Sequence, residues 1–283
     1  MFIDFSSRPP LPEFAGNAPH LSNYRRVYKR TETEVSQRAA ADPLAEYLAT
    51  YERLNARAVV VKARDLTSTF GFKISNESVA NFCRTQGDRY LGFAGVDPHR
   101  GVSAIGEFET AIRELGLRGL NLQCFEHKLD IDDEKLYPLY AKCIELDVPV
   151  NIHCGINFST KTSMSHGHPL ALDRVMCTFP DLRVCASPPG WPWINELLAV
   201  AWRHPNVWIG TLAIRPRLMA TPHSGYEPLL QYGKTVLKDK MIFGSGFPMM
   251  PVESALDEFI ALDMPEEIRA RWLEGNARTY LRI

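Results

Sequence analysis

Two groups of residues in this chain have types and spacings suited to chemistry. The first lies at the ends of short apolar runs. "MFIDFSSRPP" ends in Ser6 and Arg8, and "GLNLQCF" ends in Asn121, Gln123 and Cys124. "VNIHCGIN" carries His153, Cys154 and Asn157, and "VCASPP" carries Ser187. Thr211 and Arg215 follow "VWIG", while Ser245 and Gly246 close "MIFGSG". An imidazole can act as a general acid or base, or ligate a metal. A guanidinium keeps its charge and grips a carboxylate with two parallel donors. His153 is therefore the candidate catalytic group. Arg8 and Arg215, with Ser6, Asn121, Asn157 and Ser187, are the candidates for binding a small carboxylate substrate.

The second group is "SMSHGHP", in which His166 and His168 form a His-x-His pair. Joined by His153, it would make a three-imidazole site for one divalent metal such as zinc. The alternative for this loop is N-cap chemistry ahead of "PLALDRV". Cys154 adjoins His153, but neighbours on a strand point to opposite faces, so no Cys-His nucleophile is expected. Ser6 and Ser187 lack an acidic third member, so no serine triad is expected either. The six cysteines form no CxxC pair and read as buried small side chains in a reducing compartment.

For the first group to meet, the apolar runs must be strands that point the same way. Eight such runs occur: "MFID", "AVVVKA" (58–63), "RYLGFAGVD" (89–97), "LRGLNLQCF" (117–125), "VPVNIHCG" (148–155), "LRVCAS" (182–187), "NVWIGTL" (206–212) and "KMIFGSG" (240–246). Their unbroken apolar character suits parallel strands buried on both faces. Helical patterns separate them at 76–87, 101–116, 132–147, 192–205 and 264–281, with Asn76 as an N-cap and Pro138 as a bend or restart. The expected fold is α/β, a (β/α)8 TIM barrel forming one domain over 1–283, with active groups at the strand C-termini. An open doubly wound sheet is the rival, and no GxGxxG follows the first strand to support its dinucleotide-binding form.

Residues 10–55 depart from this rhythm. They are polar and proline-rich, and read as a long loop followed by one helix near 33–55. The stretch 10–30 is the candidate contact arm. Its basic cluster "YRRVYKR" (24–30) reads as solvated surface or as a face for an anionic partner. Over the whole chain 32 basic residues balance 33 acidic ones, so charge gives no support to nucleic-acid or membrane binding. With neither a secretory pattern nor a long apolar run, a cytoplasmic location is expected.

The segments "FIDF", "FAGVDPHRG", "LYPLY…ELDVPVNIHCGINF", "HPLALDRVMCTFPDLRV", "GWPWINELLAVAWRHPNVWI" and "IFGSGFP…NARTYL" resemble the amidohydrolase superfamily. The nearest branch is the amidohydrolase-2 group, which includes aminocarboxymuconate-semialdehyde decarboxylase and related hydrolases. The resemblance spans nearly the whole chain and implies a TIM barrel, commonly dimeric, with hydrolase or lyase activity. It also implies metal ligands: His-x-His after the first strand, one His after the fifth, one after the sixth, and an Asp after the eighth. Here those places hold Ser6 and Arg8, His153, Ser187 or Pro188, and Gly246. A family lysine after the fourth strand falls on Asn121. One imidazole with two hydroxyls and a fixed cation makes a poor divalent-metal site, so no metal is expected in the standard position.

Three readings follow. The favoured one is an accessory, non-catalytic subunit. It would pair with a metal-bearing paralogue of a hydrolase, decarboxylase or oxygenase complex, or with a second copy of itself. The second is a metal-independent hydrolase or lyase using His153 as acid or base on a small carboxylate. The third is a metalloenzyme with the relocated His153, His166 and His168 site.

Overall fold

The apolar runs become strands because nearly every side chain in them is buried. A computed structural model of the chain describes residues 1–15, 19–24, 26–27 and 41–283. The strands are β1 (Phe2–Ser7), β2 (Ala56–Lys62), β3 (Arg64–Leu66), β4 (Phe72–Ile74), β5 (Tyr90–Phe93), β6 (Leu120–Leu122), β7 (Val150–Ile152), β8 (Val184–Ala186), β9 (Val207–Gly210) and β10 (Met241–Ile242). Eight are parallel, in two runs ordered β1-β2-β5 and β10-β9-β8-β7-β6. Bridges from Ala94 to Leu120 and from Ser7 to Phe247 join the two runs at both seams. The circuit closes through Asn121 N to Ala94 O at 2.7 Å and Gly246 N to Ser6 O at 3.0 Å. This is the expected (β/α)8 barrel. The remaining pair, β3 and β4, is an antiparallel hairpin inserted after β2, which the sequence pattern does not disclose.

Alternation along the strands divides the core in two. Phe2, Val59, Val61, Leu120, Leu122, Val150, Ile152, Val184 and Ala186 belong to a cluster packed under the helices. Ile3, Phe5, Ala58, Val60, Phe93, Cys185, Trp208 and Ile242 belong to a second cluster inside the barrel. Ala277, Tyr280 and Leu281 of the C-terminal helix plug that interior, and Phe5 meets Phe93 and Tyr280 edge to face at 5.8 and 5.4 Å. The inward register carries on to Lys62, Asn121, Asn151, His153 and Ser187 at the open end, because strand side chains alternate with a period of two.

Most helices lie near their expected places, with local differences. The helix Asn76–Gln86 is capped by Ser75, whose Oγ accepts from Ser78 N at 3.0 Å. Asn76 instead turns inward, its Oδ1 accepting from Gly95 N. Pro138 restarts the pattern: a single turn at Glu134–Leu136 gives way to the helix Tyr137–Glu145, where proline is tolerated in the first turn. In the 10–55 region the described residues include single 3-10 turns at Pro12–Phe14 and Pro19–Leu21 and the helix Pro43–Arg53, capped by Asp42. Residues 33–40 of the helix expected near 33–55, and residues 16–18, 25 and 28–30 of the expected contact arm and basic cluster, lie outside the described residues. Among the described residues no helix is long and apolar enough to cross a membrane.

Candidate active site

The open end of the barrel holds a cavity of about 520 Å³. Ser6, Arg8, Asn121, His153, Ser187 and Gly246, which the sequence places at separate strand ends, all line it. Asn157, Arg215, His166 and His168 are not among its lining residues. Asn157 ties its own loop, donating to Ser163 O at 3.1 Å and accepting from Ser159 N. Arg215 is paired with Glu258, its Nε donating at 2.9 Å, so it does not work beside Arg8. The His153, His166 and His168 metal site is not assembled either. His166 Nδ1 is 2.6 Å from Asp130, and His168 caps the helix Pro169–Thr178 while its ring leans on Trp193. Both imidazoles serve the loop and the cap.

One hydrogen-bonded frame sets the first strand's end. The buried Asp4 carboxylate accepts from Ser245 N and Oγ, from Tyr51 Oη and from Ser6 N. It thus clamps β1 to the turn after β10, and Arg8 N reinforces this by donating to Phe247 O at 3.0 Å. Burial outweighs those bonds and raises the Asp4 pKa. Gly246 sits in that turn at φ +72°, a left-handed conformation that suits glycine.

A chain of amides builds the floor. Ser187 Oγ donates to Asn151 Oδ1 at 2.6 Å, and Asn151 Nδ2 donates to Asn121 Oδ1 at 2.9 Å. Gln123 Nε2 donates to the same oxygen, and Asn121 Nδ2 donates to Ala63 O. Asn121 and Ser187 therefore orient one another through Asn151. His153 stands beside this chain, tilted 4.4 Å from Phe125. The hydrogen bond that would hold a purely structural histidine is missing, since the buried Nδ1 has no partner. Burial pushes His153 down to about 4, so the ring is neutral near pH 7.

Among the described residues three cations face the cavity: Arg8, Lys62 and Arg64. Arg64 is held two-pronged by Glu126, with Nε donating to Oε2 at 3.0 Å. Glu126 is completely buried and also meets His20 Nε2 at 2.8 Å. Burial alone would raise its pKa, but Arg64 and His20 override that and hold it at about 2. Arg8 has no carboxylate within ion-pair distance among the described residues, and burial together with Arg64 lowers it to about 10. Lys62 Nζ lies 4.4 Å over the Phe5 ring, and burial lowers it to about 8 against weaker support from Cys185 and Asp4. Among the described residues, no Asp or Glu lines the cavity.

The walls are apolar and aromatic: Phe125, Ile156, Phe158, Trp191, Leu212, Ile214, Tyr226, Phe247 and Met249. Trp191 stacks against Tyr226, so the aromatic "GWPW" segment reaches the cavity through Trp191. The segment 19–24 covers one side. Leu21 and Tyr24 face the cavity, His20 stacks on Phe70 at 3.9 Å, and Asn23 Nδ2 donates to Phe158 O. Sequence reading missed Lys62, Arg64, Glu126, His20 and Asn151. Lys62 was within reach, because the "AVVVKA" strand ends on it.

The cavity does not fit a divalent metal. The five family ligand positions converge here, but they present one imidazole, two hydroxyls, a glycine and a guanidinium. A three-ligand group does exist elsewhere, where Asp173, Cys177 and His204 approach within 4.8 Å. It lies on the outer helices and away from the cavity lining. Arg203 already donates to both Asp173 oxygens at 3.0 Å and reaches toward Cys177 Sγ, so a cation occupies that group's charge.

A family model described as amidohydrolase matches residues 20–283. Gamma-resorcylate decarboxylase from Rhodococcus jostii (strain RHA1) is 21% identical over 252 residues, covering 74% of this chain and 75% of that protein. An uncharacterized TIM-barrel protein, Bb4693 from Bordetella bronchiseptica, superposes with a TM-score of 0.79 at 27% identity, over 99% of this chain and 98% of that one. A dihydroxybenzoic acid decarboxylase from Polaromonas sp. JS666, with bound manganese and the inhibitor 2-nitroresorcinol, gives 0.67 at 16% identity, over 99% and 96%. These decarboxylases are lyases, which corrects the expectation of a hydrolase.

Proposed function

The chain belongs to the amidohydrolase family, and from that premise we propose that it is a metal-independent lyase that removes carbon dioxide from a small aromatic acid. The observation that carries this reading is the cavity's charge arrangement. Aromatic walls enclose a guanidinium that has no carboxylate within ion-pair distance among the described residues. Such a pocket attracts an anion with a flat apolar body. Arg8 grips the substrate carboxylate and turns the ring between Phe125, Phe158 and Trp191. The amide floor hydrogen-bonds polar ring substituents. His153, neutral and with Nδ1 unpartnered, exchanges a hydrogen bond or a proton with a phenolic oxygen.

The decarboxylases among the relatives, whose names refer to dihydroxybenzoic acids, support the substrate class. The motif resemblance to aminocarboxymuconate-semialdehyde decarboxylase supports the same bond cleavage on an unsaturated acid. The donor set of the cavity does not suit a divalent metal. The test is carbon dioxide release from γ-resorcylate by protein treated with a chelator, beside calorimetric binding of the same acid. Turnover that survives chelation and is lost in Arg8→Met supports the proposal. Absence of both binding and turnover refutes it. Tight binding without turnover returns the accessory-subunit reading.

A further inference from the structure

Gripping a carboxylate does not by itself remove it. When carbon dioxide leaves an aromatic ring, the carbon it leaves must receive a proton. The chain offers few sources. No carboxylic acid of the described residues lines the cavity, His153 is deprotonated near pH 7, and a guanidinium is a poor donor. One group remains. Lys62 closes β2 with its side chain directed into the barrel mouth, and its ammonium rests on the Phe5 ring at 4.4 Å. Among the described residues no carboxylate pairs with it. Asp4 already accepts from Tyr51 and Ser245, and the Cys185 thiol is buried inside the barrel. An enclosed ammonium without a partner carbonyl or carboxylate is costly to maintain.

We propose that Lys62 is a catalytic residue, the proton donor to the ring carbon that bears the carboxylate. This rests on the lyase reading above. Arg8 holds the carboxylate while an N–H bond of Lys62 breaks and a C–H bond forms at the same ring carbon. The ring-to-carboxylate bond then breaks, its electron pair restores aromaticity, and carbon dioxide departs. The neutral amine regains a proton from water, so the net change consumes one proton and yields the phenolic ring with hydrogen in place of the carboxylate. The Phe5 face beneath the amine stabilises the charged form between turnovers, as a cation over an aromatic ring does. The ammonium loses its proton near pH 8, which suits transfer close to neutrality.

Proton transfer can be read without carbon dioxide. In deuterated water, the ring hydrogen between the two hydroxyls of 1,3-dihydroxybenzene should exchange faster with the protein present, followed by proton NMR. Exchange and γ-resorcylate turnover should both fall about 10²–10⁴-fold in Lys62→Met and in Lys62→Arg. Lys62→Arg keeps the charge, so γ-resorcylate binding should persist in it, and its melting temperature serves as the folding control. The wild-type rate should decline above about pH 8, with Asp4, Cys185, Arg8, Arg64 and His153 as the surrounding titratable groups. Wild-type turnover matched within threefold by both variants would overturn the Lys62 role and leave the lyase reading standing. A wild-type protein that neither exchanges nor turns over would overturn both.

Discussion

Glu126→Gln replaces the carboxylate at the centre of a buried ion cluster by a neutral amide. The carboxylate is fully enclosed, is gripped by Arg64 and receives His20 from the covering segment. Its pKa falls from the ordinary 4.5 to about 2. At about 1.4 kcal/mol per pH unit, that depression corresponds to about 3 kcal/mol of folding stability. Breaking a buried pair by removing one partner costs about 3–5 kcal/mol, and glutamine keeps part of the hydrogen bonding, so the low end applies. Because the folded pKa is depressed, this stability is present above the unfolded value near 4.5 and is lost as pH falls through about 2. Urea unfolding of wild type and variant across that window is the assay. The difference should be about 3 kcal/mol near neutrality, hold down to about pH 5, and shrink as the acid limb is entered. The segment 19–24 should loosen with it, seen as faster amide exchange at Leu21. A neutral-pH difference below about 1 kcal/mol, the range of an exposed pair, would refute the reasoning, as would a difference that ignores pH.

Other expectations concern the cavity. Arg8→Met should weaken γ-resorcylate binding about 10–100-fold, since a charge-assisted hydrogen bond is worth about 1.5–3 kcal/mol; calorimetry checks this. Exhaustive chelation should leave binding and turnover unchanged, which metal analysis beside activity will show. The His153 ring should stay neutral until pH falls to about 4, as followed by nitrogen chemical shifts; protonation near 6.5 would contradict its dry surroundings. Asn151→Ala should cost about 1–3 kcal/mol in thermal or urea unfolding, because Ser187 loses its acceptor and Asn121 one of its donors.

The barrel was legible because its signal is local. Each strand is an apolar run, and a parallel barrel gathers all eight C-termini at one face, so Ser6, Arg8, Asn121, His153, Ser187 and Gly246 had to meet. Arg215 and Asn157 failed as site residues because each lies a few positions past its strand, where loop partners decide its direction. His166 and His168 look like ligands in sequence, yet their neighbours Asp130 and Leu170 N claim them. The Glu126, Arg64 and His20 cluster joins positions 62 and 106 residues apart, and no periodicity encodes such a pairing. Hairpin β3–β4, which carries Arg64, was hidden in a segment with neither strand alternation nor helical spacing.

The turn at Gly246 makes the chain's chemistry hard to reverse. A β-carbon there would meet Ala213 N at 3.0 Å and Ala213 Cα at 3.2 Å, with the backbone already in its left-handed form. Restoring an aspartate would therefore push against backbone rather than enter open space. Replacing Ser6, Arg8 and Ser187 by histidines would add ligands around a corner that still resists its carboxylate. A metal site with an aspartate at this corner cannot be built one substitution at a time with each step cost-free. Variation that keeps the fold is thereby steered toward using the cations the cavity now holds.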